Sequence, residues 1–498
     1  MFKNRMEEVF PVKTYLSSSM ESAITEWLYL EQGEPKLLNG FTPEKRVPED
    51  LISVRFPNLV AREISELVMQ SIDCRVESKD RIRAGILQSK IDKHFCENAS
   101  NLLERVIMLG GLFLKYDGVD GFDEVSPDRF LVTNFDSDGN ITGGIFFTYL
   151  QDGRNFYTRA EWHRFDGKDA DGKSLYKISN RAFKSKLDGD VGRQIPLTSV
   201  PEWANILPEV QFHGLIKPLF DYVKNPRVNT VDPYSPLGES VFQRSLPVLT
   251  ILDTAMSALN RETNQSNPMM VVDPVSLQVA KDHGIEIPPY VMALGKPSVD
   301  NYVEQWQPKL QTEERLRTVQ WAISYVAVQS GFDASHFMFN GQIISVNTAT
   351  QVEALERHTI NTVLEYRKLF DRPETNGTGR VGYLHDLAYI LDVMLTMQGV
   401  LDERYFGRYK LYSDFADLTS NEEEDKAFDF KLAEAGYMSK ARFLVRHLGV
   451  TMEEAIAMVE EAKAEANDGV NPEETEIVGN KTGGNLDEDD KQGSDQAL

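Results

Sequence analysis

Three stretches between residues 239 and 370 carry apolar residues at the three- and four-residue spacing of one helix face. The pattern predicts a helix from Glu239 to about Gln265 and a second from Gln311 to about Ser330. A third helix is predicted from the capping-box pattern Thr348-Ala-Thr-Gln351 to Phe370. Pro247 falls inside the first predicted helix and is expected to kink it. The apolar positions are Phe242, Leu246, Leu249, Leu252, Met256 and Leu259, then Leu316, Val319, Ile323 and Val326, then Val352, Leu355, Val363, Tyr366 and Phe370.

Residues 267–308, between the first two helices, are rich in proline. Within them Met269–Val272 is typical of a short strand, and the residues from Val275 to His283 predict a small helix. A connection this long that has elements of its own predicts a subdomain. The first helix also has a polar edge, formed by Thr254, Ser257, Arg261 and Asn264.

The chain before residue 239 predicts helices followed by an antiparallel sheet, and the fold class is therefore α+β. Alternating apolar runs separated by Asp, Gly and Asn over residues 112–230 are typical of hairpins. The predicted helices run from Ser18 through Leu30, from Asn58 to Gln70, and from Asp80 to about Leu109, and the predicted strands include Leu51–Phe56, Leu112–Tyr116, Phe130–Thr133, Ile145–Tyr149, Tyr157–Arg164 and Leu175–Ser179.

After residue 370 the pattern predicts a helix from Tyr383 to Gln398 and a strand from Arg408 to Phe415. Glu422 to about Ala466 then predicts a small helical bundle. From Asn467 the chain is rich in Gly, Asn, Asp and Glu with almost no apolar residues, a composition typical of disorder.

The charge of the chain limits its contacts with nucleic acid. Its 498 residues include 77 acidic and 53 basic ones, a formal net charge of −24. Tight nonspecific binding of nucleic acid requires phosphate-neutralising Lys and Arg, so this acidic excess disfavours such binding. It is compatible with DNA that passes an acidic surface with weak contacts.

Cys74 and Cys96 are the only cysteines, which favours a reducing compartment. No apolar run is long enough to span a membrane, and we expect a protein made in the cytoplasm.

The search for chemistry gives no predicted catalytic, cofactor-binding or metal-binding residue. Gly377-Thr-Gly379-Arg-Val-Gly382 matches a dinucleotide fingerprint, but it follows a predicted helix, whereas that fingerprint follows a strand. Asn134-x-Asp136-x-Asp138-Gly139 begins like a calcium loop, yet Ile145 stands where the bidentate Glu is needed. The eight histidines are scattered, and no phosphate loop or nucleophile elbow is present.

Several segments, in this order, resemble the portal proteins of tailed bacteriophages, particularly those that infect Gram-positive bacteria. The similar passages are Asn101–Tyr116 with its Gly-Gly, Val125–Phe130, Tyr157–His163, Tyr176–Asn180, Asp232–Ser240, Gly331–Ser335, Phe339–Gly341, Thr348–Val352 and Ala435–Lys440. Gln351 departs from the Glu that is often found there in the family.

The resemblance implies a ring, typically of twelve copies, with an α/β wing, a two-helix stem, a small α/β clip, a tunnel loop with its helix, and a helical crown. The implied wing is 1–238 with 349–420, which also contains the tunnel helix; the stem is 239–266 with 309–332, the clip 267–308, the tunnel loop 333–348, the crown 421–466 and an acidic disordered tail 467–498.

The implied function is a non-enzymatic channel at one capsid vertex, through which double-stranded DNA is packaged and ejected. The implied partners are terminase, major capsid and scaffolding proteins, and a head-completion adaptor; the implied location is the virion, after assembly in the host cytoplasm. Tunnel-loop residues expected near DNA are Asn340, Gly341, Gln342, Ile343, Ile344, Ser345 and Asn347. The stem candidates for the lumen are Thr254, Ser257, Arg261 and Asn264, and the clip candidates for terminase or adaptor contact are Pro274, Lys281, Pro288, Pro289 and Lys296.

Two other readings of the sequence stay open. One is an α+β nucleotide-handling enzyme that uses the loop from Gly377 to Gly382. The other is a capsid assembly protein without a channel.

Overall fold

The fold is seen in a computed structural model that places most of the chain. The described residues are 2–34, 52–70, 72–117, 121–265, 269–272, 274–284, 291–293, 303–306, 311–334, 336–337, 349–374, 379–415, 429–432, 438–448 and 454–461. The chain divides into two compact units, Met1–Ala416 and Asp417–Leu498.

Helices and strands share the first unit, so the predicted α+β class is confirmed. Its helices are α1 Phe2–Val9, α2 Ser18–Gln32, α3 Phe56–Met69, α4 Arg81–Ile91, α5 Glu97–Leu109, α6 Leu246–Gln265, α7 Pro274–Asp282, α8 Thr312–Ser330, α9 Ala349–Phe370 and α10 Tyr383–Met397.

The strands form five sheets within the described ranges. They are β1 Ile72–Ser78, β2 Gly111–Tyr116, β3 Phe122–Val125, β4 Phe130–Phe135, β5 Ile141–Asp152, β6 Asn155–Lys168, β7 Ser174–Ser185, β8 Arg193–Ile195, β9 Glu209–His213, β10 Phe220–Lys224, β11 Met269–Val272, β12 Val291–Ala293, β13 Val303–Trp306, β14 Arg372–Pro373, β15 Arg380–Val381 and β16 Tyr409–Phe415.

The largest sheet is the antiparallel meander predicted from the hairpin pattern. Its order is β4-β5-β6-β7-β8, with β9 paired to β7. Phe130 and Phe146 of this sheet contact Phe113 of β2, with the rings of Phe113 and Phe130 stacked at 3.7 Å between centroids. Gly144 lies against this cluster, and a Cβ there would come 1.9 Å from Phe130. The close approach of sheet backbone and aromatic ring therefore requires glycine.

Two pairings join residues that are far apart in the chain. Strand β1 pairs with β16, with Ile72 opposite Phe415, and β2 lies between β10 and β3. The strand predicted at residues 408–415 is confirmed as β16, while its partner β1 was not predicted.

The predicted helix over residues 80–109 is confirmed with an interruption. Helices α4 and α5 are joined by a π-helical turn, Asp92–Cys96. Gly110, at φ +79°, ends α5, and a Cβ there would meet the backbone of Glu239 at 2.7 Å. The backbone of Gly110 thus contacts the backbone of Glu239, which leaves no room for a side chain at this position.

Two predicted elements are wrong. Residues 52–55 form no strand: they have no strand partner, Arg55 has a left-handed backbone at φ +53°, and α3 begins at Phe56 with Pro57 in its first turn. The first long helix begins at Leu246 after a 3₁₀ turn, Gln243–Ser245, and does not begin at Glu239. Pro247 therefore lies in the first turn, where N–H groups have no intrahelical acceptor, and the predicted kink has no cause.

The insert between the long helices has the predicted strand and small helix, β11 and α7. Strand β11 lies between β12, in parallel, and β13, antiparallel.

The second unit contains helical segments 429–432, α11 Lys440–Leu448 and 454–461 among its described residues. The His447 Nε2 lies 2.9 Å from the Asp429 carboxylate, and Phe443 packs between His447 and Phe430. Residues 467–498, predicted to be disordered, lie outside the described residues.

Candidate functional site

Helices α6 and α8 form an antiparallel pair, and this pair is the candidate functional element. Glu262, near the end of α6, joins it to the start of α8. Its carboxylate accepts the Gln311 backbone N–H at 2.5 Å and pairs with the Arg315 Nε at 3.0 Å. At 1.5 Å rise per residue the 20 residues of α6 span about 30 Å.

The buried face of each helix follows the predicted apolar stripe in part. Leu249 and Leu252 are buried on α6, and Val319, Ile323 and Val326 are buried on α8. Leu316, predicted to belong to the same stripe, is 43% exposed near the start of α8. Acidic residues in the first turn of α8 suit its helix dipole.

The opposite face of α8 carries a second apolar stripe that the sequence analysis did not single out. Trp321, Tyr325 and Val328 are 52%, 37% and 44% exposed. Their spacing of four and three residues places them on one face, and the rings of Trp321 and Tyr325 lie 5.8 Å apart. The sequence already contained this signal. Apolar residues occur on two faces of α8, whereas a surface helix that packs with one face needs apolar residues on that face only.

The segment of residues 52–55, which is neither helix nor strand, lies against α6. The Ile52 N–H donates to the Ser257 Oγ at 2.9 Å, and the Val54 N–H donates to the Asp253 Oδ1 at 3.0 Å. Burial raises the pKa of Asp253 to about 6, although the bonds from Val54 and Ser53 lower it. The side chains of Ser257 and Asp253 thus accept the backbone N–H groups of Ile52 and Val54, which pair with no strand.

The four polar residues predicted to share an edge of α6 do not all share it. Thr254, Arg261 and Asn264 are exposed, while Ser257 is buried. The Ser257 hydroxyl also donates to the Asp253 carbonyl at 2.7 Å. We therefore correct the predicted edge to Thr254, Arg261 and Asn264, because the segment 52–55 covers Ser257. Whether the remaining three face a channel stays a prediction.

The predicted clip contacts are only partly placed. Pro274 is the first residue of α7 and Lys281 lies in its last turn, and both are exposed. Pro288, Pro289 and Lys296 lie outside the described residues.

Of the predicted tunnel loop, 333–348, the structure describes only residues 333–334 and 336–337, and Asn340 to Asn347 lie outside the described residues. The end of α8 and the later part of α9 are held by hydrogen bonds. The Thr362 hydroxyl of α9 donates to the Gly331 carbonyl at the end of α8 at 3.0 Å. The Tyr366 hydroxyl donates to the Asn225 Oδ1 at 2.8 Å. Gly331, at φ +97°, would carry a Cβ 2.3 Å from the Thr362 Oγ1, so glycine is required there. The end of α8 and the part of α9 from Thr362 onward are therefore packed against neighbouring elements.

The described part of the Gly-rich motif, residues 379–382, does not have the geometry of a dinucleotide loop. Strand β15 lies within the motif and pairs antiparallel with β14, which precedes it, whereas a dinucleotide site lies between a parallel strand and its helix. Gly382, at φ +133°, begins α10, and a Cβ there would come 2.6 Å from the Phe370 carbonyl. This glycine is explained by packing.

A cleft of about 760 Å³ opens beside this motif. Its wall mixes charges: Lys217 Nζ pairs with Asp386 at 2.5 Å, and Asp221 and Lys368 also line it. Loss of hydration, with the nearby charge of Asp386, raises the pKa of Asp221 to about 8. Because the lining carries both positive and negative charges, it does not indicate whether a ligand would be an anion or a cation. Among the residues that the structure describes, no group of three or more His, Cys, Asp and Glu side chains could hold a metal ion.

A buried polar network in the largest sheet was not predicted. Glu161 accepts hydrogen bonds from Lys115 at 2.7 Å and from His163 Nε2 at 2.8 Å, and it forms an ion pair with Arg159 at 3.1 Å. The His163 Nδ1 lies 2.8 Å from the Tyr176 hydroxyl, which accepts the Leu219 N–H. Burial opposes ionisation of Glu161, but Lys115 and His163 hold its pKa well below the usual value, and burial lowers the pKa of His163. The network joins β2, β6 and β7, which is a structural role.

In the described part of the chain, no helix has the length and apolar character needed to cross a membrane.

Neither a protein-family model nor a curated protein matches this sequence. Similar solved structures include the neck of a native GTA (gene transfer agent) particle computed with C12 symmetry. That match has 14% identity and a TM-score of 0.38, covering 80% of this chain and 93% of the other. The neck of an empty GTA particle computed with C6 symmetry matches at 13% identity and a TM-score of 0.42, covering 81% and 94%. TM-scores this low do not establish a shared architecture.

Proposed function

We propose that this chain is a portal-type subunit of the head-tail connector of a tailed phage-like particle. Copies form a ring, typically of twelve, around a channel through which double-stranded DNA is packaged and later ejected. The proposal rests on the resemblance of the sequence segments, in their order, to portal proteins. It makes the chain a virion component without catalytic activity of its own.

The observation that carries the proposal is the exposed apolar stripe of α8. A protein that stays monomeric gains nothing from Trp, Tyr and Val on the outer face of a long helix, and aromatic residues are enriched where proteins meet. A helix pair about 30 Å long with an apolar outer face suits the wall of a ring. Head-to-tail contacts that close on themselves produce such a ring.

The acidic balance of the chain suits a channel that must not hold DNA. Each phosphate neutralised by Lys or Arg strengthens binding, so a net charge of −24 keeps contacts with passing DNA weak. In this proposal the tunnel loop is 333–348, and its residues 340–347 contain amide, hydroxyl and apolar side chains but no cation. The exposed residues Thr254, Arg261 and Asn264 of α6 are the stem candidates for the lumen.

Terminase during packaging, and an adaptor afterwards, bind the clip in this proposal. Exposed Pro274 and Lys281 are candidate contacts, together with Pro288, Pro289 and Lys296. Capsid and scaffolding proteins are the proposed partners of the wing.

Negative-stain microscopy of the purified protein tests the proposal directly. We expect rings with a central hole and a subunit number near twelve. Monomers or solid particles at every concentration would contradict the proposed portal function.

The proposed tunnel loop has its own test. Gln342→Lys and Ile343→Arg add cations to the loop, and we expect both to reduce the amount of DNA packaged in an infection or packaging assay. Gln211→Lys, which adds a cation at an exposed residue outside the loop and outside the clip, is the control. Normal packaging with both loop variants would show that this loop does not line the channel.

A further inference from the structure

We propose that the outer edge of strand β10, the side away from β2, binds an extended acidic segment of a partner protein, which adds to the sheet as a further strand. This edge lines the cleft of about 760 Å³. The site lies within a single copy of the chain. The inference therefore goes beyond the proposed portal function and does not depend on a ring.

Strand β10 is at the end of its sheet. In the described part of the chain it pairs only with β2, and the strand order is β10-β2-β3. The Asn225 N–H, one residue past the strand, donates to the Gly110 carbonyl at 3.0 Å and continues the register. Because backbone groups alternate between the two sides of an antiparallel strand, those of Asp221 and Val223 also point toward β2. The residues whose backbone groups point away from the sheet are Phe220, Tyr222 and Lys224.

The outer edge of β10 runs along the cleft. All residues from Phe220 to Arg227, which include the whole strand, line it. Side chains alternate between the two faces of a sheet, so a cleft that contacts all of them follows the edge. Other parts of its wall come from the start of α10 and the turn between β4 and β5. Its volume lies in the range of ligand pockets, roughly 300–1,000 Å³, and leaves room for a short extended peptide.

One backbone group on this edge already has a substitute for a strand partner. The Tyr222 N–H donates to the carboxylate Oδ1 of its neighbour Asp221 at 2.8 Å. A buried N–H needs an acceptor, and a side chain takes the place that the carbonyl of a neighbouring strand would have. A carbonyl of an added strand can replace this carboxylate. Addition of a strand to an open sheet edge is a common way in which proteins bind extended peptides.

The carboxylates of the cleft are already engaged, although its lining as a whole is mixed in charge. Asp386 pairs with Lys217 at 2.5 Å, and Asp136 accepts the Asn140 N–H at 2.8 Å within its own turn. Asp221, with a pKa of about 8, carries little negative charge at neutral pH.

Four cations of the lining form no ion pair with a described residue, namely Lys224, Arg227, Lys368 and Arg372. Burial lowers the pKa of Lys224, as expected for a cation without a counter-charge. Arg227 is held in place, since its Nη2 donates to the Ser330 carbonyl at 3.3 Å. In a chain of net charge −24 these residues concentrate positive charge beside the edge. Asp and Glu side chains of an added strand would pair with them.

Peptide binding tests the site by fluorescence anisotropy. The probe is a short, end-capped, fluorescein-labelled peptide of alternating Glu and Val. We expect saturable binding that weakens as salt rises, and no binding of a peptide of alternating Lys and Val. The Glu–Val peptide with every second residue of D chirality has the same charge but cannot form a regular strand, so it should bind about tenfold more weakly.

The peptide results can also overturn the proposal. Equal binding of the all-L and mixed-chirality peptides would show that charge attraction acts without an added strand. Binding of inorganic triphosphate without binding of the peptide would make the cleft a site for small anions only.

The variant Lys224→Pro tests the backbone of the edge. Proline removes the outward N–H of this residue and leaves the hydrogen bonds to β2. We expect it to bind the Glu–Val peptide about fivefold more weakly than Lys224→Gln, which loses the same charge but keeps the N–H. Thermal unfolding near the wild-type temperature shows that both variants are folded. Equal affinities of the two variants would contradict pairing along this edge.

Charge reversal tests the cations of the lining. Lys368→Glu/Arg372→Glu should weaken binding of the Glu–Val peptide about tenfold at low salt. The matched control, Lys186→Glu/Arg193→Glu, reverses two exposed cations that do not line the cleft and should bind like the wild type. Equal losses in the two variants would show that only the total charge of the chain matters.

Amide hydrogen exchange locates the peptide in the wild-type protein, without any variant. We expect exchange at Phe220, Tyr222 and Lys224 to become slower when the Glu–Val peptide is bound. Unchanged exchange at these residues with bound peptide would place the peptide elsewhere. Exchange that is already slow at Phe220 and Lys224 without peptide, and becomes faster on dilution, would show that another copy of the chain covers the edge. Microscopy of the same sample for rings tests the portal function separately, so either proposal can fail alone.

Discussion

Arg83 and Asp392 form an ion pair in which both side chains are almost fully buried. The Arg83 Nη1 binds the Asp392 carboxylate, and its Nη2 donates to the Asp402 carbonyl at 2.5 Å. The Gly407 N–H donates to the other Asp392 oxygen at 2.8 Å. Burial raises the pKa of Asp392, although Gly407 and Arg83 favour its charged form. The pair joins α4 to α10, which are far apart in the chain.

Asp392→Ala should lower the free energy of unfolding by about 3–5 kcal/mol, because it leaves a buried guanidinium without its counter-charge. Urea denaturation followed by circular dichroism measures the change. The double variant Arg83→Met/Asp392→Leu removes both charges and should recover most of the loss. A double variant as unstable as Asp392→Ala would show that the two side chains do not act as a pair.

Asp253 is a second residue whose environment only the folded chain determines. Its folded pKa of about 6 lies above the ordinary value, so the native state holds the proton more tightly than the unfolded state. Stability contributed by this group is present below the unfolded pKa and is lost as the pH rises toward 6.

Asp253→Asn should therefore stabilise the protein at pH 8 by roughly 2 kcal/mol and change it little at pH 4. The amide oxygen can still accept the Val54 N–H, so the contact is kept. The measurement is the difference in unfolding free energy between variant and wild type at several pH values, which cancels the titration of other groups. A difference that does not vary with pH would contradict the raised pKa.

At the scale of elements, the beginning of α6 is a clear departure from the sequence pattern. The residues from Glu239 to Ser245 precede the helix, and the buried Glu239 accepts the hydroxyl of Thr230 at 2.6 Å. The apolar spacing predicted a helix from Glu239 because Phe242 fits that spacing. In the structure Phe242 is buried immediately before the 3₁₀ turn Gln243–Ser245.

Pro247→Ala should change the free energy of unfolding by less than about 0.5 kcal/mol, because proline is tolerated in the first turn of a helix. Ala258→Pro, in the middle of the same helix, should cost about 3 kcal/mol or more. Equal effects of the two substitutions would place Pro247 inside the helix after all. Denaturant unfolding of both variants decides between them.

At the scale of the whole molecule, charge determines how the assembled protein meets DNA. At about 0.15 M salt, purified protein should not retard linear double-stranded DNA in a gel, because the chain has a net charge of −24. A Gln342→Lys/Ile343→Lys variant, which places added cations in every copy, should bind DNA more strongly and lose that binding as salt rises. Tight, salt-sensitive binding by the wild type would contradict a channel with weak contacts.

The sequence by itself determined the α+β class, the two long helices, the hairpins of the largest sheet and the strand and helix of the insert. These depend on local periodicity and turn chemistry, which a short window contains. The order of its segments also suggested the portal resemblance.

Only the tertiary structure decided which residues of those elements meet. It paired β1 with β16, buried Ser257 under residues 52–55, placed Arg83 against Asp392 and left Trp321 and Tyr325 exposed. Each of these depends on partners from distant parts of the chain, and a spacing pattern shows that a face is apolar or polar without showing what covers it. That is why the second stripe of α8 became evidence for a partner only when its first stripe was seen to be covered.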